Sequence, residues 1–320
     1  MKRLLIVMLT TASLFSASLC TCAQAQAPEQ YLFAYFKEPA NQGIYLAISR
    51  DGYHYEPLND GQPWVKPEQA GELMRDVFLT RGPDGKFHMV WTWNWRGRSL
   101  GYAESSDLMH WSAHTEVPIM AGFPDTRNVW APETDWDAQQ QTWVLFWSSA
   151  GMAAADRNRI WAARTKDFKT FTTPAVFFDP GYEVIDATMF QGKGKEYLVF
   201  KDQTRDPLRY QVRYATGPTV EGPWSDIQAP ITESWSEGPS ALQIGDEFVI
   251  LYDHYRAPRA SYEGIQSKDW IHWENIDDHI SFPANCKHGS FLKVTAEEAA
   301  RLRSRHDAAP AKESMPASTP

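Results

Sequence analysis

Five segments of this 320-residue chain repeat one plan, in which a strand opens on a marked residue, turns through a short loop and gives way to a second apolar strand. They open at Arg75-Asp76-Val77, Ala131-Pro132-Glu133, Ile185-Asp186-Ala187, Ser236-Glu237-Gly238 and Lys287-His288-Gly289. Asp76 and Phe87 are 11 residues apart, as are Asp186 and Tyr197, and Glu237 and Phe248. That equality predicts that the three acids share one structural slot, with His288 in the same slot of its own segment. Counting 11 back from Trp143 gives Pro132, so Glu133 is expected to point beside the common axis.

A second marker follows each pair of strands. Asp51 precedes Tyr55 by four residues, and the same spacing joins Asp107 to Trp111, Asp167 to Phe171 and Asp269 to Trp273. The fifth copy keeps Trp224 and lacks the Asp. Asp beside Ser, Thr or Gly makes a tight turn, and the aromatic residue then re-enters the packed layer. The five aromatics step by 56, 60, 53 and 49 residues, a period characteristic of propeller blades. The predicted fold is therefore all-β: a five-bladed β-propeller. Only residues 31–36 precede the first marker, and nothing strand-like follows the last inner strand. The N- and C-terminal strands are thus expected to pair within one blade and close the ring. One domain is predicted over residues 30–302, with a short helix near 296–303.

Residues 1–25 read as a signal peptide, with Lys2 and Arg3 ahead of an apolar run and small-residue sites near Ala23 and Ala25. Export to the periplasm or the extracellular space is expected, with a lipid anchor on Cys20 or Cys22 as the lesser alternative. The mature chain then keeps one cysteine, Cys286, so no disulfide framework or cysteine metal site is expected. The tail, residues 303–320, is rich in Ala, Pro, Ser and Lys and reads as disordered. A net charge of −9 without a basic cluster argues against nucleic acid. No membrane span is expected, and oligomeric state is left open.

Blades around an axis would gather Asp76, Asp186 and Glu237 at one mouth. Fourteen Trp, 13 Tyr and 16 Phe suit strands and also sugar-binding surfaces, because sugar C–H faces pack on aromatic planes. No Gly-x-Ser-x-Gly, phosphate-binding Gly-rich loop or His-Glu-x-x-His is present. His110 and His114 flank a strand turn, where helical spacing has no meaning.

In this arrangement the chain resembles glycoside hydrolase family 43, whose members are five-bladed propellers that cleave arabinosides, xylosides and some galactosides. Arg75-Asp76-Val77-Phe78 resembles the segment with the catalytic base, and Trp130-Ala131-Pro132-Glu133 the Trp-Ala-Pro segment. The segment from Ile185 to Phe190 resembles the one whose Asp tunes the acid, and Ser236-Glu237-Gly238-Pro239 the Glu-Gly-Pro of the general acid. Val77 and Ala187 stand where the family has Pro, a change at strand entry that leaves the carboxylates in place. The resemblance implies Asp76 as general base, Glu237 as general acid and Asp186 as its pKa modulator and orienter. It implies an inverting hydrolase that releases terminal sugars, α-L-arabinofuranose first, from polysaccharide or glycan side chains. Inversion requires the two working carboxyls to stand roughly 6.5–9.5 Å apart, leaving space for a water. A β-xylosidase, a galactosidase or galactofuranosidase, and a non-catalytic carbohydrate-binding propeller are the alternatives.

Arg75, Trp130, Asn128, Trp95 and His288 are candidate substrate contacts, with Arg127 and Trp93 beside them. For the two tryptophans of the 93–97 loop, plain packing is an equal reading. No organic cofactor is expected. The resemblance also implies a Ca2+ or a water on the axis near His288.

Overall fold

The computed structural model describes residues 29–153, 155–257 and 260–305. The expected signal peptide and residues 306–320 of the expected tail lie outside that range. The strands, in chain order, are β1 (Gln30–Phe36), β2 (Tyr45–Ser49), β3 (Glu56–Pro57), β4 (Arg75–Arg81), β5 (Phe87–Thr92), β6 (Leu100–Ser105) and β7 (Thr115–Val117). They continue with β8 (Trp130–Asp137), β9 (Thr142–Ser149), β10 (Arg159–Thr165), β11 (Ala175–Phe178), β12 (Val184–Gly192), β13 (Lys195–Asp202) and β14 (Gln211–Gly217). The last are β15 (Ser236–Ile244), β16 (Glu247–His254), β17 (Ser261–Ser267), β18 (Glu274–Asn275) and β19 (Lys287–Val294), before α1 (Ala296–Ser304), the one α-helix among the described residues. They form five antiparallel sheets: β4-β5-β6-β7, β8-β9-β10-β11, β12-β13-β14, β15-β16-β17-β18 and β19-β1-β2-β3. The fold is a five-bladed propeller. Its fifth blade joins the two ends of the domain, with Leu32 opposite Leu292 and Phe33 opposite Phe291.

Period-two alternation holds the ring together. Along β1, Leu32, Ala34 and Phe36 pack with Val77, Leu79, Phe87 and Met89 of the first blade. Tyr31, Phe33 and Tyr35 face the other way, onto Leu242, Val249 and Leu251 of the fourth. Three further clusters fill the remaining interfaces between neighbouring blades. Each blade is thus buried on both faces, which is why the strand sequences read as nearly continuous apolar runs.

The turn marker is one hydrogen-bonded device used four times. Asp107 Oδ1 accepts the N–H groups of Met109 and His110, while Ser105 Oγ accepts that of Leu108. Ser49 and Asp51, Thr165 and Asp167, and Ser267 and Asp269 repeat those contacts. The copy without the Asp belongs to the blade with three strands, β12-β13-β14. There Thr216 and Ser225 form the isolated bridge that Ser105 and Trp111, and Thr165 and Phe171, form in the first two blades.

The inner strands carry a bulge at the tunnel mouth. Pairing slips between Arg75 and Phe78, Trp130 and Glu133, Ile185 and Thr188, and Glu237 and Ser240. The residue just inside each slip adopts positive φ: Asp76 at 49°, Ala131 at 44°, Asp186 at 52° and Gly238 at 57°. In β19 the slip falls between Lys287 and Ser290, so His288 holds this slot, as its sequence position predicts. Glu237 does not. It stands one residue earlier, level with Arg75, Trp130, Ile185 and Lys287. Hairpin length explains the difference. Arg81 pairs with Phe87, six residues on, whereas Gln243 pairs with Phe248, five on. An equal count from the second strand therefore lands one position apart.

Ring closure should be sensitive to Gly289, where a Cβ would lie 2.1 Å from the Ala34 carbonyl oxygen. Gly289→Ala is expected to destabilise the fold by about 1–3 kcal/mol, read as a lower Tm. Gly122→Ala, with open space around it, is expected to leave Tm within a degree or two.

Candidate active site

Inner strands from three blades deliver Asp76, Asp186 and Glu237 to one cavity of about 440 Å³ at the tunnel mouth, which Arg75, Trp95, Trp130 and His288 also line. Between the blades runs a series of side-chain hydrogen bonds, each taken by a residue near the end of a second strand. Thr92 Oγ1 accepts the Ala131 N–H at 2.8 Å and donates its own proton to Asp76 Oδ2 at 2.7 Å. Ser148 Oγ accepts the Asp186 N–H at 3.0 Å, and Asp253 Oδ2 accepts the His288 N–H at 2.7 Å. Between the third and fourth blades Asp186 Oδ2 accepts the Gly238 N–H instead, at 3.2 Å, and where the fifth blade meets the first the corresponding second-strand residue is Phe36, whose side chain has no acceptor. Gly238 has to be glycine, since a Cβ there would meet the His288 ring at 2.5 Å on a backbone of positive φ.

Charge alternates across the mouth. Burial alone would raise the Asp76 carboxyl, but His288, Arg75 and Thr92 outweigh it and hold the group below its ordinary value. The His288 Nδ1 stands 3.5 Å from Asp76 Oδ1, an ion-pair distance longer than a good hydrogen bond. Burial disfavours the imidazolium, yet Asp76, Asp186 and Glu133 surround it and raise it to about 9. Asp186 is pushed up to about 6 by burial, with Glu237 and Asp76 adding to the push and His288 and Lys201 opposing it. Asp253, 1% exposed, is pushed up to about 7 by burial against the pull of Lys287.

The other candidates divide. Arg75 pairs with Glu38 at 2.6 Å, and its guanidinium lies 3.9 Å over the Trp95 ring and 4.7 Å over Phe36. Trp130 Nε1 donates to the Trp95 carbonyl at 3.0 Å, and the two indoles meet edge to face. Trp95, 52% exposed, is an open platform, whereas Trp93 is buried in the packing. Asn128 is not at the mouth. It is fully buried, donating to the Ser148 carbonyl and Asn158 Oδ1, so its proximity in sequence to Trp130 marks a scaffold contact. Glu133 also departs from expectation: it is buried close enough to feel the charge of His288 and Asp186, and burial raises it to about 8.

Sequence reasoning passed over Lys201, Asp253, Tyr210 and Tyr255, all lining the cavity. A signal existed for the first two. Thr92 pairs with Arg75, Ser148 with Trp130, Lys201 with Ile185 and Asp253 with Glu237. A polar residue closing an apolar second strand is thus a repeated feature of the sequence. Among the described residues no group of three or more His, Cys, Asp or Glu side chains is arranged to hold a metal ion. The acids around His288 favour its charged form, so a cation held through its ring nitrogen would have to displace that proton.

A family model described as "Probable glycosyl hydrolase domain", of the family-43-related group, matches residues 27–300. The chain belongs to the family-43-related glycosyl hydrolases. An α-L-arabinofuranosidase of Bifidobacterium longum is 26% identical over 307 residues, covering 75% of this chain and 28% of the relative. The chain thus spans little more than a quarter of that protein's length. An endo-1,4-β-xylanase structure from Bacteroides thetaiotaomicron is similar with a TM-score of 0.56 and 14% identity, over 83% of this chain and 98% of that one. An exo-β-1,3-galactanase from Clostridium thermocellum gives a TM-score of 0.52 at 14% identity, over 65% and 50% of the respective chains. At these identities the two structures bear on fold alone, and they agree with the propeller.

His288 makes stability depend on pH. Its folded value, raised from 6.5 to about 9, stabilises the fold fully below about pH 6.5 and is lost as pH rises through 9. Denaturant unfolding should show a decline of about 3 kcal/mol from this group across that window, added to the decline that the raised carboxyls of Glu133 and Asp253 contribute in its lower part, and His288→Gln should remove the share above pH 8.

Proposed function

We propose that this protein is an inverting glycoside hydrolase that releases terminal sugars, α-L-arabinofuranose first, from polysaccharide or glycan side chains. The observation that carries the proposal is the unequal treatment of carboxylates at one mouth. Asp76 is kept ionised by His288, Arg75 and Thr92, the state a general base needs. Glu237 stands at the rim with its side chain 31% exposed, where a leaving-group oxygen can reach it. Asp76 would take a proton from water as the water oxygen bonds to the anomeric carbon. Glu237 would protonate the departing oxygen as the glycosidic bond breaks. Asp186 fixes the Gly238 N–H and so the backbone beside Glu237; it makes no direct hydrogen bond to that carboxyl among the described residues.

A sugar in the cavity would meet two aromatic groups, Trp95 and Trp130 with Arg75, and Tyr210 and Tyr255 around Lys201. A neighbouring groove of about 600 Å³ shares Glu38, Asp253 and Lys287 with the cavity, offering a path for the rest of the glycan. The likeness to an α-L-arabinofuranosidase supports ranking the arabinofuranoside first among sugars. With residues 1–25 read as a signal peptide, we place the activity in the periplasm or outside the cell.

A panel of 4-nitrophenyl glycosides tests the proposal, with the α-L-arabinofuranoside expected to be hydrolysed fastest. Proton NMR of the fresh product should show the anomer opposite to the substrate's. Asp76→Asn should lower kcat by about 10²–10⁴-fold with the protein still folded. Binding to arabinan, xylan or galactan without turnover of any substrate would instead make this a carbohydrate-binding propeller.

A further inference from the structure

Three of the five junctions of the mouth share one pattern, and the junction between the third and fourth blades departs from it with a charged residue. Thr92, Ser148 and Asp253 each accept the N–H of the next blade's slot residue. The corresponding position of β13 holds Lys201, whose ammonium can only donate. The Gly238 N–H goes to Asp186 instead, which leaves Lys201 without a part in the framework. Its Nζ lies 2.8 Å from Glu237 Oε2 and 3.2 Å from the Tyr255 hydroxyl, over the Tyr255 ring at 4.5 Å and the Tyr210 ring at 5.2 Å. The residue is 1% exposed. Burying an ammonium is costly unless it is paired, and the framework gives no reason for one here, since the first, second and fourth blades place the acceptors Thr92, Ser148 and Asp253 at this position.

We propose that Lys201 is a positioning residue for the general acid, gripping Oε2 of Glu237 and stabilising the carboxylate formed as its proton leaves. The inference rests on Glu237 being the acid. Oε1 carries no protein hydrogen bond among the described residues and is the oxygen left to serve the glycosidic bond. As that bond breaks, its electron pair goes to the leaving oxygen together with the Glu237 proton. The negative charge left on Glu237 then sits against the ammonium. An interaction that strengthens as the reaction proceeds accelerates it, whereas one of constant strength only tightens binding. Other charged or titratable groups around Glu237 are Asp186 from β12, Asp253 from β16, Arg75 from β4 and Tyr255, with Lys287 and His288 of β19 lining the same cavity. Arg75 is already engaged by Glu38, which leaves Lys201 as the cation in contact.

The test compares wild type, Lys201→Met and Lys201→Arg on aryl glycosides of graded leaving-group ability. Lys201→Met should lose about 10²-fold in kcat on the poorest leaving groups and little on 2,4-dinitrophenyl glycosides, which need no proton. The alkaline limb of its kcat/KM profile should move to higher pH, because the cation that favours ionisation is gone. Lys201→Arg should restore both in part, and Lys201→Met in a Glu237→Gln background should add nothing. An equal loss on every leaving group with an unmoved alkaline limb would overturn the proposal, as would a change in KM alone. Those outcomes leave wild-type hydrolysis intact, whereas a wild type inactive on the whole panel would sink the glycosidase proposal and this one together. Should Lys201→Met fail to fold, Lys201→Gln carries the same comparison.

Discussion

The hydrogen bond that a residue of one blade extends to the bulged backbone of the next is the constraint on which the mouth of this propeller depends. A non-glycine residue at positive φ is strained by about 1–3 kcal/mol and persists only where its surroundings enforce it. Asp76, Ala131 and Asp186 all hold that conformation. For Ala131 and Asp186 the enforcing contact is visible, because their N–H groups are bound by Thr92 and Ser148. The bulge in turn re-aims side chains that a regular strand would direct into the blade interface. Strain at the bulge and presentation of carboxylates to the cavity are one feature.

This linkage also orders the electrostatics. Thr92 both ties the second blade and donates to Asp76, so one hydroxyl serves framework and base. Asp253 takes the His288 N–H, and the ring it fixes faces Asp76, Asp186 and Glu133. Cations and acids therefore alternate: Arg75 and His288 beside Asp76, and Lys201 between Asp186 and Glu237. Buried charges arranged this way compensate one another, where any one alone would be expelled or neutralised.

Much of the fold was legible because its signals are local. The Asp turn fixes where an outer strand ends, and its spacing from the following aromatic is set by hydrogen bonds within six residues. The orphan strands at the two ends of the domain implied a shared blade. The one weak marker, around Trp224, coincides with the one three-stranded sheet. The segments holding Asp76, Asp186, Glu237 and His288 were legible for the same reason, each opening an inner strand after a loop. Glu133 was misplaced because its orientation depends on the bulge between Trp130 and Glu133, whose phase a count along the chain does not carry, and Asn128 because its partners, Ser148 and Asn158, are distant in sequence.

By itself the sequence determined the number of blades, the closure of the ring and the strand openings that bear acids, since repetition and two-residue periodicity act through near neighbours. Only the tertiary structure decided that Glu237 stands one position before the slot held by Asp76 and Asp186, and that Lys201 meets it. Hairpin lengths set that offset, and Lys201 and Glu237 lie on adjacent blades 36 residues apart. Their approach depends on how the blades pack around the axis, and no local pattern along the chain encodes it.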